Sequence, residues 1–335
     1  MSGYKILKDY LFCMQSGSVW GTAMAQTSGT KAIITDQETV FNLESTKHRF
    51  ERLRGLRMLH EGESWNETGS AVPTITMNNV MMDINIDDYL NSLFPQSGSW
   101  LAVSNIKTWY PQQATMLPLY KSNQGTFYTI LRKSPDSNDS TVIASAIVKS
   151  AKFKIHPVDN DAVLMADFEF LGNNLQEDVD YTGNIRINDT NQLYTYAGTY
   201  GVNAVLYNSS SVTTDFISAE INIDNGAKYV SDLPNKEIAL TEFTVNGNIS
   251  LAASSTTDTM KQDCMNSAIS TGKMLQLDFG AGSLGTSGDL RFLIFCKLNN
   301  YSTDLTEGEI LTFDFEGIAG VTGSYEYPCV IRKRI

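Results

Sequence analysis

The chain has little with which to carry out metal or covalent chemistry. Its 335 residues include only four cysteines, Cys13, Cys264, Cys296 and Cys329, and no two of them form a CxxC pair. That spacing excludes a zinc ribbon and argues against a disulfide scaffold, so free, mostly buried thiols are expected. Histidine is scarcer still. His48, His60 and His156 show no HxH or HxxxH spacing, and His60-Glu-Gly-Glu63 lacks the second imidazole that HExxH places on one helical face. Positive charge is also in deficit, with 25 Lys and Arg against 37 Asp and Glu, a net charge of −12. An acidic surface disfavours tight wrapping of nucleic acid, because phosphate binding needs Lys and Arg. It leaves open a channel through which DNA slides without sticking. No apolar run approaches the ~20 residues of a membrane helix. The start, Met1-Ser-Gly-Tyr-Lys-Ile-Leu-Lys8, lacks the apolar core and cleavage site of a signal peptide. A soluble product made in the cytoplasm is the expectation.

What is present is strand signal. Hydrophobic residues make up 42% and charged residues 19%, the balance of a chain with a real core rather than a disordered one. Phe127–Leu131, Lys152–Ile155 and Val163–Phe170 mix β-branched and aromatic residues, and several such runs alternate apolar with polar. Asn225-Gly226 and Asn246-Gly247 read as turn signals. Two segments read as helix. Asp87–Phe94 is stopped by Pro95. Asp258–Ile269 has Thr257 or Asp258 as its N-cap and Gly272 beyond its end. On this reading Met260, Cys264, Met265 and Ala268 share one face. Residues 1–45 read as an N-terminal arm and first strand. Residues 46–335 read as a β-rich domain with insertions near 95–145 and 172–215.

Several apparent motifs resolve into bland ones. Gly280-Ala-Gly-Ser-Leu-Gly285 is a literal GxGxxG, but a dinucleotide site needs a helix directly after it, and here a strand pattern, Arg291–Phe295, follows. A glycine-rich hairpin tip is expected. Asp83-Ile-Asn-Ile-Asp87-Asp88 lacks the central Gly and terminal Glu of a calcium loop, and reads as a strand entering a helix. No GxSxG nucleophile elbow occurs. No catalytic, cofactor-binding or metal residues are assigned, and no cofactor is expected. The one basic cluster, Lys47 to Arg57, lies among Glu51, Glu61, Glu63 and Glu67, and reads either as a strand pairing with carboxylates of a neighbouring subunit or as a phosphate-contacting arm. Arg332-Lys-Arg334 reads as a solvated tail or as a partner for an acidic neighbour.

The order of elements from Ser145 to Gly317 carries more than any single motif. Ile147–Ile155 and Ala162–Gly172 form one strand pair. Ser218–Gly226 is a strand ending on an Asn-Gly turn, and Glu242–Leu251 is a strand with a small polar centre. A short helix and the strands Met274–Phe279, Arg291–Phe295 and Ile310–Phe315 follow. This pattern resembles the tail tube (major tail) proteins of long-tailed bacteriophages. Gly17–Gly21 and Gly69–Pro73 are similar in character to the N-terminal regions of that family.

The resemblance implies a mainly-β protein, a sandwich or barrel of the tail tube type, with one peripheral helix and long loops. It implies a structural virion protein, not an enzyme. Copies would close into hexameric rings that stack around a lumen through which DNA passes without specific binding. Its other partners would be tape measure and tail terminator proteins, and it would reside in the viral tail. Met1–Thr30 and Asn173–Tyr200 would serve ring stacking. Met260, Cys264, Met265 and Ala268 would pack the helix onto the barrel. Glu220, Asn222 and Asp224 alternate along one strand, as do Glu242, Thr244, Asn246 and Asn248 along another. These seven would face the lumen, or would form an ordinary solvated sheet surface. A discrete carbohydrate- or receptor-binding β-sandwich is the alternative, with Trp100, Trp109, Tyr110 and Tyr120 as its aromatic contacts. Another virion part, or a β-rich hydrolase, is a more distant one.

Overall fold

The computed structural model describes residues 11–17, 23, 31–33, 40–44, 47–49, 64–66, 72–95, 102–103, 105–111, 119–120, 127–133, 140–157, 162–179, 192–230, 237–266, 272–282, 284–305, 309–320 and 327–335. The chain is mainly β. Its first part gives β1 (Leu11–Ser16), β2 (Lys31–Ile33), β3 (Val40–Glu44), β4 (Lys47–Arg49), β5 (Ser64–Asn66) and β6 (Val72–Met81). The helix α1 (Asp87–Leu93) follows, then β7 (Ala102–Val103), β8 (Ile106–Trp109), β9 (Leu119–Tyr120) and β10 (Tyr128–Lys133). The middle holds β11 (Ser140–Ile155), β12 (Met165–Leu171), β13 (Asn174–Val179), β14 (Val202–Tyr207), β15 (Ser210–Ser211) and β16 (Phe216–Asp224). Then come β17 (Ala227–Val230), β18 (Glu237–Leu240), β19 (Thr244–Ala252) and the helix α2 (Ser255–Met265). The chain closes with β20 (Lys273–Phe279), β21 (Leu290–Asp304), β22 (Ile310–Gly317) and β23 (Cys329–Arg334).

Eighteen of these strands join one antiparallel network, in which two long strands each serve two sheets. The second half of β11 pairs with β12 and β16, and its first half pairs with β10 and β13. Between the halves the register shifts and Ser145 takes φ +53°, a bulge that turns the strand from one sheet into the next. The first half of β21 lies between β20 and β23, and its second half pairs with β22. The large sheet therefore runs β3-β6-β12-β11-β16-β19-β22-β21. A second sheet runs β7-β8-β23-β21-β20-β14-β15. A third runs β2-β1-β10-β11-β13. Both β1 and β3, from the first 45 residues, are paired within the network.

Alternation along the strands dictates how the sheets stack. Phe153 and Phe168 of the large sheet and Phe279 and Phe292 of the second sheet are all fully buried. Phe153 meets Phe292 edge-on at 5.3 Å, joining the two sheets into a sandwich. The helix α1 packs against the large sheet, with Tyr89 stacked on Phe168 at 4.6 Å. Its Ser92 hydroxyl accepts the amide N–H of Val148 at 2.8 Å, and its Asn91 accepts the indole N–H of Trp109 at 3.0 Å.

Both segments read as helix are helical, α1 with Tyr89, Leu90 and Leu93 buried and α2 largely exposed. α2 starts earlier than expected. Its N-cap is Ser254, whose hydroxyl accepts the Thr257 N–H while the Thr257 hydroxyl accepts the Ser254 N–H, so Thr257 is the N3 partner of a capping box rather than the cap. Met260 is fully buried in the main core and Cys264 packs against that core. Met265 does not pack. It is 65% exposed, because a step of five residues turns it about 140° around the helix axis from Met260. Ala268 lies outside the described residues. Arg332-Lys-Arg334 is not a solvated tail. It belongs to β23, in the middle of the second sheet, and Lys333 is buried in an ion pair with Asp87 of α1.

Candidate functional site

From β6 to β22 one face of the large sheet packs into the core and the other is polar. On β16, Ile221 and Ile223 are buried while Glu220, Asn222 and Asp224 are half-exposed on the opposite face. On β19, Val245, Ile249 and Leu251 are buried, while Thr244, Asn246 and Asn248 face the other way. The register brings the two sets together. Glu220 lies opposite Asn248, Asn222 opposite Asn246, and Asp224 opposite Thr244. The Asn222 amide donates to the Asn246 side-chain oxygen at 3.0 Å. Six of the seven residues expected on one face thus form a contiguous surface. Glu242 lies just before β19, in an irregular stretch, and is exposed, while Phe243 beside it packs on the core.

Sequence reasoning missed the neighbours that extend this surface. On β22, Asp314 and Glu316 stand opposite Asn248 and Asn246 and are exposed. On β12, Asp167 and Glu169 are opposite Lys152 and Ser150 of β11. Lys149 pairs with Glu169 at 2.8 Å, Lys152 with Glu220 at 2.7 Å, and Lys154 with Asp167. Alternation in Lys152–Ile155 and Val163–Phe170 could have placed these side chains on a polar face. It could not show that β11 lies between β12 and β16. Thr76, Ser150, Lys152, Asp167, Asn222 and Thr244 help to line a shallow, open depression of about 420 Å³ on this face.

The backbone under the face is held by a buried amide. Asn225 follows β16, and its side-chain N–H groups donate to the carbonyls of Val148 and Leu93. Its side-chain oxygen accepts the Ala227 N–H at 2.9 Å, while Gly226 takes φ +69°. The Asn-Gly pair read from sequence as a turn therefore redirects the chain out of the large sheet. The next strand, β17, pairs with β18. Gly247, in the middle of β19, is required by close approach. A Cβ there would lie 2.0 Å from the Glu220 carbonyl oxygen and 2.7 Å from the Phe315 ring.

The other sequence motifs hold no comparable site. Gly280–Gly285 lies in the loop between antiparallel β20 and β21, with no helix after it. The Asp289 carboxylate accepts the N–H groups of Ala281 and Thr286, both at 2.9 Å, and so closes that loop on itself. Asp83 caps a turn by accepting the Asn85 N–H, and Asp87 binds Lys107 at 3.2 Å as well as Lys333. None of the four cysteines is in a disulfide; Cys13, Cys296 and Cys329 are buried. Among the described residues no group of three or more His, Cys, Asp or Glu is gathered as a metal site. No helix among them is long and apolar enough to cross a membrane. Of the aromatic residues considered for ligand binding, Trp109 is fully buried and Tyr110 packs on Tyr327 at 4.5 Å. Trp100 and the Tyr120 side chain lie outside the described residues, as do His60 and nearly all of the basic cluster.

These features define a mainly-β antiparallel sandwich whose most extensive chemical feature is a polar, carboxylate-rich sheet face. The chain matches no protein-family model and no curated protein.

Proposed function

We propose that this chain is a structural subunit of the tail tube of a long-tailed bacteriophage. Copies close into rings, by analogy hexamers, and the rings stack into a conduit for DNA ejection. The polar face of the large sheet lines the lumen. The observation that carries this reading is that face, where Asp167, Glu169, Glu220, Asp224, Asp314 and Glu316 outnumber the lysines: Lys149, Lys152 and Lys154 are each paired with a carboxylate, and Lys297 stands opposite Glu316. Like charge facing phosphate discourages adhesion and favours passage. The ends of the same sheet support closure. Among the described residues β3 pairs only with β6, and β21 loses its β20 partner after Cys296, so that from there to Asp304 it pairs only with β22. Open edges of this kind are covered when copies join edge to edge in a heterologous ring.

On this reading the segments 1–30 and 173–200 serve stacking, and the stretches near 95–145 and 172–215 are decorations or a second tube-like subdomain. Tape measure and terminator proteins are the expected partners within the virion tail. A discrete binding module draws less support, because Trp109 is spent in the core. Sedimentation velocity over a concentration series tests the proposal. Growth from a small species to a defined ring and larger stacks is expected, and a single monomeric boundary at every concentration would count against it.

A further inference from the structure

A surface over which DNA must move gains nothing from bare cations, yet the central strand of the large sheet places Lys149, Lys152 and Lys154 on its polar face. Each is engaged by a carboxylate from a flanking strand. β12 supplies Glu169 to Lys149 and Asp167 to Lys154, and β16 supplies Glu220 to Lys152. For two of them the register adds a second carboxylate directly opposite, Asp167 for Lys152 and Glu220 for Lys154. The lysine side chains are 31 to 40% exposed, so the ammonium groups stand at the water boundary, within reach of a large polyanion.

We infer that β11 carries a latent polyanion-binding strip, kept closed by Asp167, Glu169 and Glu220, which occupy its lysines as phosphates would. A lysine with a fixed carboxylate beside it brings no net charge to a phosphate. Binding would then release no counterions and would set that carboxylate against the nucleic acid. The lysines tie β11 to both of its neighbours without making the face adhesive. The biological purpose of the strip rests on the tube reading; the binding behaviour does not depend on assembly.

The test is binding of a short labelled DNA duplex by the full-length chain, followed by fluorescence anisotropy across a salt series. The variant D167N/E169Q/E220Q frees the lysines. The variant D224N/E242Q/D314N removes the same number of charges without uncovering a lysine. The first should bind at least about tenfold tighter than wild type at low salt, with a salt slope of about −0.9 per freed lysine. The second should stay close to wild type. Adding K149Q, K152Q and K154Q to the first should return it to wild-type behaviour. Equal binding by the two carboxylate variants, with melting curves like wild type, would overturn the inference. Should the first variant fail to fold, E169Q alone frees Lys149, which has no second carboxylate opposite it, and should show a smaller gain; no gain there would overturn it equally. Tubes from the wild type with no DNA binding by the freed variant would refute the latent strip and leave the tube role standing. DNA binding by the variant of a chain that never assembles would do the reverse.

Discussion

Asp278 and Arg291 face each other across β20 and β21 and are joined by two hydrogen bonds, Nε to Oδ1 at 2.8 Å and an NH2 nitrogen to Oδ2 at 2.7 Å. The Asp278 side chain is 5% exposed and that of Arg291 19%, so the pair is largely out of water. Removing Arg291 leaves the buried Asp278 carboxylate with the Gln276 amide at 2.9 Å but with no counter-charge. Arg291→Ala should cost about 3–5 kcal/mol in urea denaturation, whereas replacing both residues with apolar ones of similar size should cost far less. A loss below about 1 kcal/mol for the single variant, the range of an exposed pair, would show that the pair is solvated in solution.

Asn225 gives a sharper test of the turn beneath the polar face. Its amide donates to two carbonyls and accepts one N–H in a buried setting. Asn225→Ala leaves these groups unmet and should destabilise by about 1–3 kcal/mol or more. Asn225→Asp should be at least as harmful despite its near-identical shape, because a carboxylate cannot donate to the carbonyls of Leu93 and Val148. Equal stability of the Asp variant and wild type at neutral pH would contradict the assignment.

Gly247 predicts a backbone effect with no chemistry in it. A methyl group there meets the Glu220 carbonyl on the adjacent strand, which cannot move without disturbing the β16–β19 register. Gly247→Ala should lower the melting temperature, at a cost of about 1–3 kcal/mol from overpacking. Gly285→Ala, in the loop after β20, has only a contact at 3.7 Å and is the control.

The thiols set an alkaline limit. Burial pushes Cys13 and Cys296 up to about 12 from an ordinary 9.0, and raises Cys329 as well. A raised pKa means that the folded chain holds its proton longer than the unfolded one. The contribution is complete below pH 9 and is lost as pH climbs from 9 towards 12, at up to about 1.4 kcal/mol per pH unit for each thiol. The tyrosines Tyr89, Tyr128 and Tyr194, raised mainly by burial, add to the same fall above pH 10. Chemical denaturation should therefore give steadily lower stability above pH 9, and a flat profile to pH 11 would contradict the burial. Half-buried Cys264, held at about 11, should be the first of the four to react with a thiol reagent in the native state.

The sequence was most legible where alternation is undisturbed. Met274–Phe279 and Ile310–Phe315 read as strands and are parts of β20 and β22, and Val163–Phe170, read as one strand, overlaps β12 from Met165 onward. It was opaque where a strand has no single exposed face. Ser140–Val148 is buried throughout, so the first half of β11 shows no period at all. The polar end of β21, Asn299–Asp304, shows no buried stripe because it runs past the second sheet. β23 looked like a basic tail because the partner of Lys333 is Asp87, 246 residues away. The polar face was half visible. Period two assigned Glu220, Asn222 and Asp224 to one side, but long-range pairing alone reveals the lysines of β11 beside them.

The most direct test of the central claim is negative-stain electron microscopy of the purified chain across a concentration series. A tube subunit predicts rings or tubes of one regular diameter, with stain-filled centres, growing in number and length with concentration. Uniform compact particles at every concentration would contradict it.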